Sequence, residues 1–356
     1  MTKTNMRTNE LRGNKLPALT WNWMDVNDVK IDLQNTQKIP YTAVQSVGTV
    51  DQKLKQTFYD LDHGISEEVM RMNTEQCNLA NHWRISDSEP IEVRLPQSAE
   101  NPLLVDQNQI VVPPLQNGTV LLYNYSEDDS RVERNSTILI DVENDAEVNV
   151  VLVQRLNKDS VSNVSIVARV GDGARLNLAT VELGAGNTVF HYMVDMEGFG
   201  AESHIKTAYL GSGNDHLDLF YHVRHIGEEC VSDIQVNGAL MDHAVKKFRG
   251  TIDFVEGCSG SDGNEEEFTI LLDDTVRSVA VPLLLAHEDD IVGNHAASAG
   301  QIDDEQLFYL MSRGLSRKES EGLIVESRMT PTFDQIPNEK LRLDLRNEVH
   351  SRIIRR

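Results

Sequence analysis

The chain has 356 residues, with 33 basic against 56 acidic side chains, a net charge of −23 and a pI near 4.8. That charge repels phosphate backbones and anionic lipid, which argues against nucleic-acid and membrane partners, while 40% apolar and 25% charged residues suit a folded globular chain. The longest apolar run, residues 279–286, contains a proline and is too short to span a bilayer.

Near the start, Lys3, Arg7, Arg12 and Lys15 are not followed by the apolar core of a signal peptide. Cys77, Cys230 and Cys258 are odd in number, widely spaced and form no CxxC pair, so a reducing cytoplasm is the expected setting. Residues 1–90 read as a mixed segment of turns and helix that holds all three tryptophans, Trp21, Trp23 and Trp83. Ser66 is placed to cap a helix opening with Glu67 and Glu68, acids that suit the positive end of the helix dipole.

Residues 91–300 change texture to short β-branched pulses separated by Gly, Asn and Asp. Ile138-Leu139-Ile140, Val148-x-Val150-x-Leu152, Val164-x-Ile166-x-Ala168-x-Val170 and Leu176-x-Leu178 have the period of two of strands with one buried face. The pulses repeat: Asp145-Ala146-Glu147-Val148-Asn149-Val150 resembles Gly173-Ala174-Arg175-Leu176-Asn177-Leu178, and more weakly the stretch from Gly200 to Ile205. Steps of about the same length reach Gly118 behind and Gly227 ahead. A fixed period of this size means stacked units that cannot bury their apolar faces alone. Two strands and two turns per repeat suit one coil of a β-helix, although a sandwich of evenly spaced hairpins has a similar rhythm.

Residues 301–356 turn helical. Asp303-Asp304-Glu305 precede Leu307-Phe308-Tyr309-Leu310, and Gly314 is placed to close that helix. Ser316-x-x-Glu319 is a capping box, and Asn338 opens a helix with Leu341, Leu345, Val349 and Ile353 on one face. The arginines at its end suit a helix C-terminus better than a binding patch. This small helical unit is also expected to cap or dock at an open coil end, where strand edges lack partners.

No phosphate-binding GxxxxGK[ST] loop, HExxH or GxSxG occurs. The glycine-rich stretch 257–263 reads as a turn. Glu265-Glu266-Glu267 and Glu288-Asp289-Asp290 are acid runs of the kind found on solvated edges, since consecutive strand residues face opposite ways. His216, His222, His225 and His243 fall within neighbouring coils, but His222 and His225 have opposite parity and cannot share a face without a bulge. His295 lies where the β body gives way to helix, a place where a lone imidazole is usually a structural hydrogen-bonder.

The segment Gly293-Asn294-His295-Ala296-Ala297-Ser298-Ala299-Gly300-Gln301-Ile302-Asp303, continuing through Leu307-Phe308-Tyr309 to Ser312-Arg313-Gly314, resembles the C-terminal signature of the SufB/SufD family. These are the non-ATPase subunits of the Suf iron–sulfur cluster assembly complex. Phe248-Arg249-Gly250-Thr251-Ile252-Asp253-Phe254 and Pro282-Leu283 also resemble its core, and the likeness spans roughly residues 110–330. The strand 281–286 has no cysteine and Ala296 follows His295, which is similar to the SufD branch. Some SufD proteins carry a cysteine two positions before this histidine, where this chain has Gly293.

The resemblance implies a right-handed parallel β-helix with two strands per coil. It implies a non-catalytic scaffold that pairs with a SufB-type subunit, or with itself when none is present, and that binds a SufC-type ABC ATPase. His295 would then lie at the subunit interface and offer an imidazole to iron, with a transient iron–sulfur cluster and no stably bound cofactor. Leu307, Phe308, Tyr309 and Arg313 would form the ATPase-docking surface, on a helix apolar over a wide arc. Cys230 and Cys258 read as buried small hydrophobes. The competing classes are a β-helix polysaccharide lyase or hydrolase and a purely structural intracellular solenoid, because a β-helix does not decide function.

Overall fold

Each sequence repeat forms one coil of a parallel β-solenoid. The computed structural model describes residues 11–18, 20, 25–33, 38–86 and 89–356; Lys3, Arg7, Trp21 and Trp23 lie outside the described residues. The chain opens with a two-stranded antiparallel pair, β1 (Arg12–Gly13) and β2 (Val29–Lys30). Helices α1 (Gln52–Leu61) and α2 (Glu67–Gln76) follow, and the Ser66 hydroxyl accepts the Val69 N–H at the start of α2.

The solenoid begins with β3 (Leu79–Arg84) and β4 (Ile91–Gln97), then β5 (Leu103–Val112) and β6 (Asn117–Ser126). It continues through β7 (Glu133–Val142), β8 (Glu147–Arg155), β9 (Val161–Val170) and β10 (Arg175–Glu182). Next come β11 (Asn187–Met196), β12 (Glu202–Gly211), β13 (His216–His225) and β14 (Val231–Leu240). The last coils are β15 (Val245–Phe254) with β16 (Ser261–Leu271), and β17 (Arg277–Ala286) with β18 (Ile291–Gly300). Odd strands from β3 make one eight-stranded sheet and even strands from β4 the other, and every pairing within these two sheets is parallel. A mainly β fold built of stacked coils is therefore what the repeat foretold.

Alternation places one face of each strand in the lumen. The inward set includes Ile138, Ile140, Val148, Val150, Ile166, Ala168, Leu176 and Leu178, which interlock in one continuous core. At one corner, Leu115, Asp145, Gly173, Gly200, Glu229 and Gly260 all take left-handed backbone conformations, with φ between 56° and 76°. Each of these N–H groups donates to a carbonyl of the next coil: Asp145 to Asp172, Gly173 to Phe199, Gly200 to Glu228. The repeated turn is thus a ladder of axial hydrogen bonds that links successive coils.

This ladder corrects two positions in the repeat. Gly118 pairs with Val148 inside β6, and the true equivalent of Asp145 is Leu115. Likewise the equivalent of Gly200 is Glu229, not Gly227. The period is not constant, because Arg175 aligns with Glu202 but Glu202 with Val231, so a fixed step drifts off register.

The helical unit comprises α3 (Asp304–Ser312), α4 (Arg317–Phe333) and α5 (Glu339–Ile354). Ser316 and Glu319 form the capping box of α4, and Gly314 takes φ 100° just after α3. Leu341, Leu345, Val349 and Ile353 are buried together with Val325, Met329 and Phe333 against Val151, Val181, Leu210 and Ile270. Helices α4 and α5 therefore cover the outer face of the even-strand sheet. They do not cap the coil end, because outward apolar residues on β6 to β16 supply a matching face and the edges of β17 and β18 do not. The C-terminal arginines serve the same packing: Arg352 donates to the Leu183 carbonyl and the Ser212 hydroxyl, and Arg356 to the Leu272 carbonyl.

Gly200 has open space around its missing Cβ, so Gly200→Ala tests backbone strain alone. It is expected to cost about 1 kcal/mol, read as a lower urea midpoint with an unchanged slope.

Candidate functional site at the open end of the solenoid

The sheets end at β17 and β18, whose outer edges have no partner strand among the described residues. Val292 is 53% exposed and Leu284 is also exposed there. His295 sits in the middle of β18, exposed, and pairs in register with Glu265 of β16. Gly293 shares its parity, and a Cβ there would press on Phe254 and Leu284, so the face that carries His295 is the lumen face.

Beneath it the lumen is polar. Glu265 and Glu267 are fully buried, not the solvated edge that an acid run suggests; only Glu266 between them faces out. Alternation already separates the three acids onto two faces; what the sequence did not show is that the face of Glu265 and Glu267 is the lumen. Lys246 Nζ donates to Glu267 Oε1 at 2.5 Å, and Thr269 also donates to that carboxylate. The Tyr209 hydroxyl shares a hydrogen bond with Thr269 Oγ1 at 2.7 Å and lies 3.3 Å from Glu267.

Two glycines make the room. A Cβ at Gly238 would overlap the Tyr209 ring, which crosses a whole coil to reach β16, and a Cβ at Gly250 would overlap the Glu265 carboxylate. Glu265 has no hydrogen-bond partner on either oxygen. Burial, reinforced by the charge of Glu267, pushes its carboxyl up to about 8. Burial pulls the Lys246 ammonium down, against the opposing pull of Glu267.

The other candidates disperse. His225 lies in the lumen on the Phe254 ring, 2.8 Å from Ser232 Oγ, and burial pulls its imidazole down to about 4. His222 lies on the outer face beside Asp253, as its opposite parity requires, while His216 and His243 are exposed at strand and turn starts. Among the described residues, no group of three or more His, Cys, Asp or Glu is placed to hold a metal ion. Cys230 and Cys258 are fully buried, and burial pushes the Cys230 thiol up to about 11, so both behave as core residues.

On α3 the apolar arc divides. Leu307 is 2% exposed and packs inward, whereas Phe308 is 75% and Tyr309 56% exposed, with Met311 beside them. Arg313 stacks over Tyr309 at 5.2 Å. Sequence reasoning missed Tyr209, Lys246, Gly238 and Gly250, because only the coil register brings these distant positions together.

With this geometry in place, comparison with known proteins decides the lineage. Residues 95–328 match the family described as SUF system FeS cluster assembly, SufBD core domain. The chain belongs to that family. It is 28% identical over 183 residues to the iron-sulfur cluster assembly protein SufD of Bacillus subtilis (strain 168), covering 51% of this chain and 42% of that protein. An iron-sulfur cluster assembly SufBD family protein of Mycobacterium leprae (strain TN) is 31% identical over 192 residues, covering 52% and 49%. The matched part is less than half the length of each of these relatives. Among the described residues, no helix is long and apolar enough to cross a membrane. The region matched to the SufBD core takes in the solenoid from the end of β4 onward and runs on through α3 into α4.

Because Glu265 has its carboxyl raised from 4.5 to about 8, the folded state holds a proton that the unfolded state releases across that window. Stability from this group therefore falls as pH rises from 4.5 to 8. Glu265→Gln should raise the melting temperature at pH 8 and leave it nearly unchanged below pH 4.5, measured by thermal unfolding across pH.

Proposed function

We propose that the chain is a SufD-like scaffold subunit of the Suf iron–sulfur cluster assembly complex, without catalytic activity of its own. It pairs through β17 and β18 with a SufB-type subunit, or with a second copy when none is present. It docks a SufC-type ABC ATPase through α3 and works in the cytoplasm, away from nucleic acid and membrane. The observation that carries this reading is His295 at the centre of an exposed, unpaired end strand in a chain of the SufBD family.

Unpaired parallel edges are templates for another chain, and Val292 and Leu284 add exposed apolar surface at the same end. An imidazole there is a borderline donor that binds iron, while thiolate from a facing subunit suits the softer side of a forming cluster. The cluster is cargo, assembled and passed on. Phe308 and Tyr309, backed by Arg313, offer aromatic anchors of the kind that dominate interfaces. Leu307 supports them from below, since its side chain is buried. Removing the whole tail would be a poor test, because α4 and α5 cover an apolar sheet face.

Combined Phe308→Ala and Tyr309→Ala should weaken ATPase co-purification by about thirtyfold with an unchanged melting temperature; full retention sinks the docking assignment. His295→Ala should lower iron and sulfide per assembled complex about tenfold while subunit assembly persists. Normal iron and sulfide in an intact His295→Ala complex would retire His295.

A further inference from the structure

Glu265 is the one acid of the lumen cluster without a structural occupation. Its neighbour Glu267 is engaged by Lys246, Thr269 and Tyr209, whereas both Glu265 oxygens are buried and unpartnered. A buried polar group with no partner is costly, so its place in the lumen calls for a ligand or a proton. The fold makes deliberate room for it, since any side chain at Gly250 would collide with the carboxylate.

We infer that Glu265 and His295, paired in register on β16 and β18, are the two donors this chain contributes to a divalent-metal site completed by groups from outside the chain. The inference rests on the reading of His295 given above and adds its partner. Register puts the two residues on adjacent strands, which lie about 4.8 Å apart, with their side chains on the same lumen face. Carboxylate oxygen and imidazole nitrogen are the donor pair that suits a borderline divalent ion such as Fe2+. Beside His295, the lumen face of β18 carries Ile291, Gly293, Ala297 and Ala299, and the positions that flank His295 on that face are therefore small. Two protein donors leave coordination positions vacant, which is what a scaffold needs if sulfide and a facing chain are to enter.

The test uses the full chain, purified without metal and titrated anaerobically with Co2+ as a spectroscopic substitute for Fe2+. Visible absorption and calorimetry are recorded together. One Co2+ per chain is expected, with Glu265→Gln and His295→Ala each weakening binding about tenfold or more. Glu266→Gln, on the opposite face of the same strand, should titrate as the parent does. Circular dichroism of each variant checks the fold, and Glu265→Ala replaces Glu265→Gln should the amide misfold. Absence of Co2+ binding by the parent, or parent-like binding by a folded Glu265 variant, overturns the inference. Loss in His295→Ala with none in Glu265→Gln also overturns it, yet leaves the role proposed for His295 intact. Iron and sulfide in the assembled complex judge that role separately.

Discussion

Every feature of this molecule depends on parallel register between coils. A single coil of about 28 residues cannot enclose a core, so each apolar layer exists only when the next coil is stacked on it in step. The corner ladder maintains that step. Six left-handed residues turn their N–H groups along the solenoid and fasten each coil to its neighbour, and side chains as different as Leu115, Asp145 and Glu229 are held in the conformation that glycine adopts freely. Strain at those three residues is the cost of the repeated corner turn.

Stacking also explains why polar groups can live in the lumen. Thr180, Thr207 and Tyr221 are hydrogen-bonded across coils, and Arg134 holds Asp106 in a buried ion pair flanked by Ser136. These groups are satisfied because register brings complementary atoms within reach. Glu265 departs from the pattern, and it does so one coil below the open end. This local failure of satisfaction lies beside β18, the end strand that carries His295.

The two ends of the functional reading use different physics. At the coil end, unpaired backbone and exposed Val292 ask for another strand or chain. On α3, the exposed surface is aromatic, Phe308 and Tyr309, while Leu307 on the same helix is buried. Helices α4 and α5 cover the even-strand sheet between them as a packed apolar layer rather than a loose tail.

Much of this was legible in the order of residues alone. Strand alternation from Ile138 to Leu178, the caps at Ser66, Ser316 and Asn338, and the face of Leu341 to Ile353 follow from local rules that a short window satisfies. So did the separation of His222 from His225, which parity decides. The stretch around His295 carried the resemblance to the family, to which the chain belongs, but gave no sign of what surrounds it. What only the tertiary structure decided is whatever depends on coil length, because a coil of 27 residues and one of 31 place different residues above one another. That is why Gly118 and Gly227 were aligned wrongly and why Gly238 gave no sign that it makes room for Tyr209; stacking likewise decides that the face of Glu265 and Glu267 is the lumen and not a wet edge. The helices went to the sheet face rather than the coil end for the same reason: the apolar surface that receives them is assembled from β6 to β16 together, and no single segment displays it.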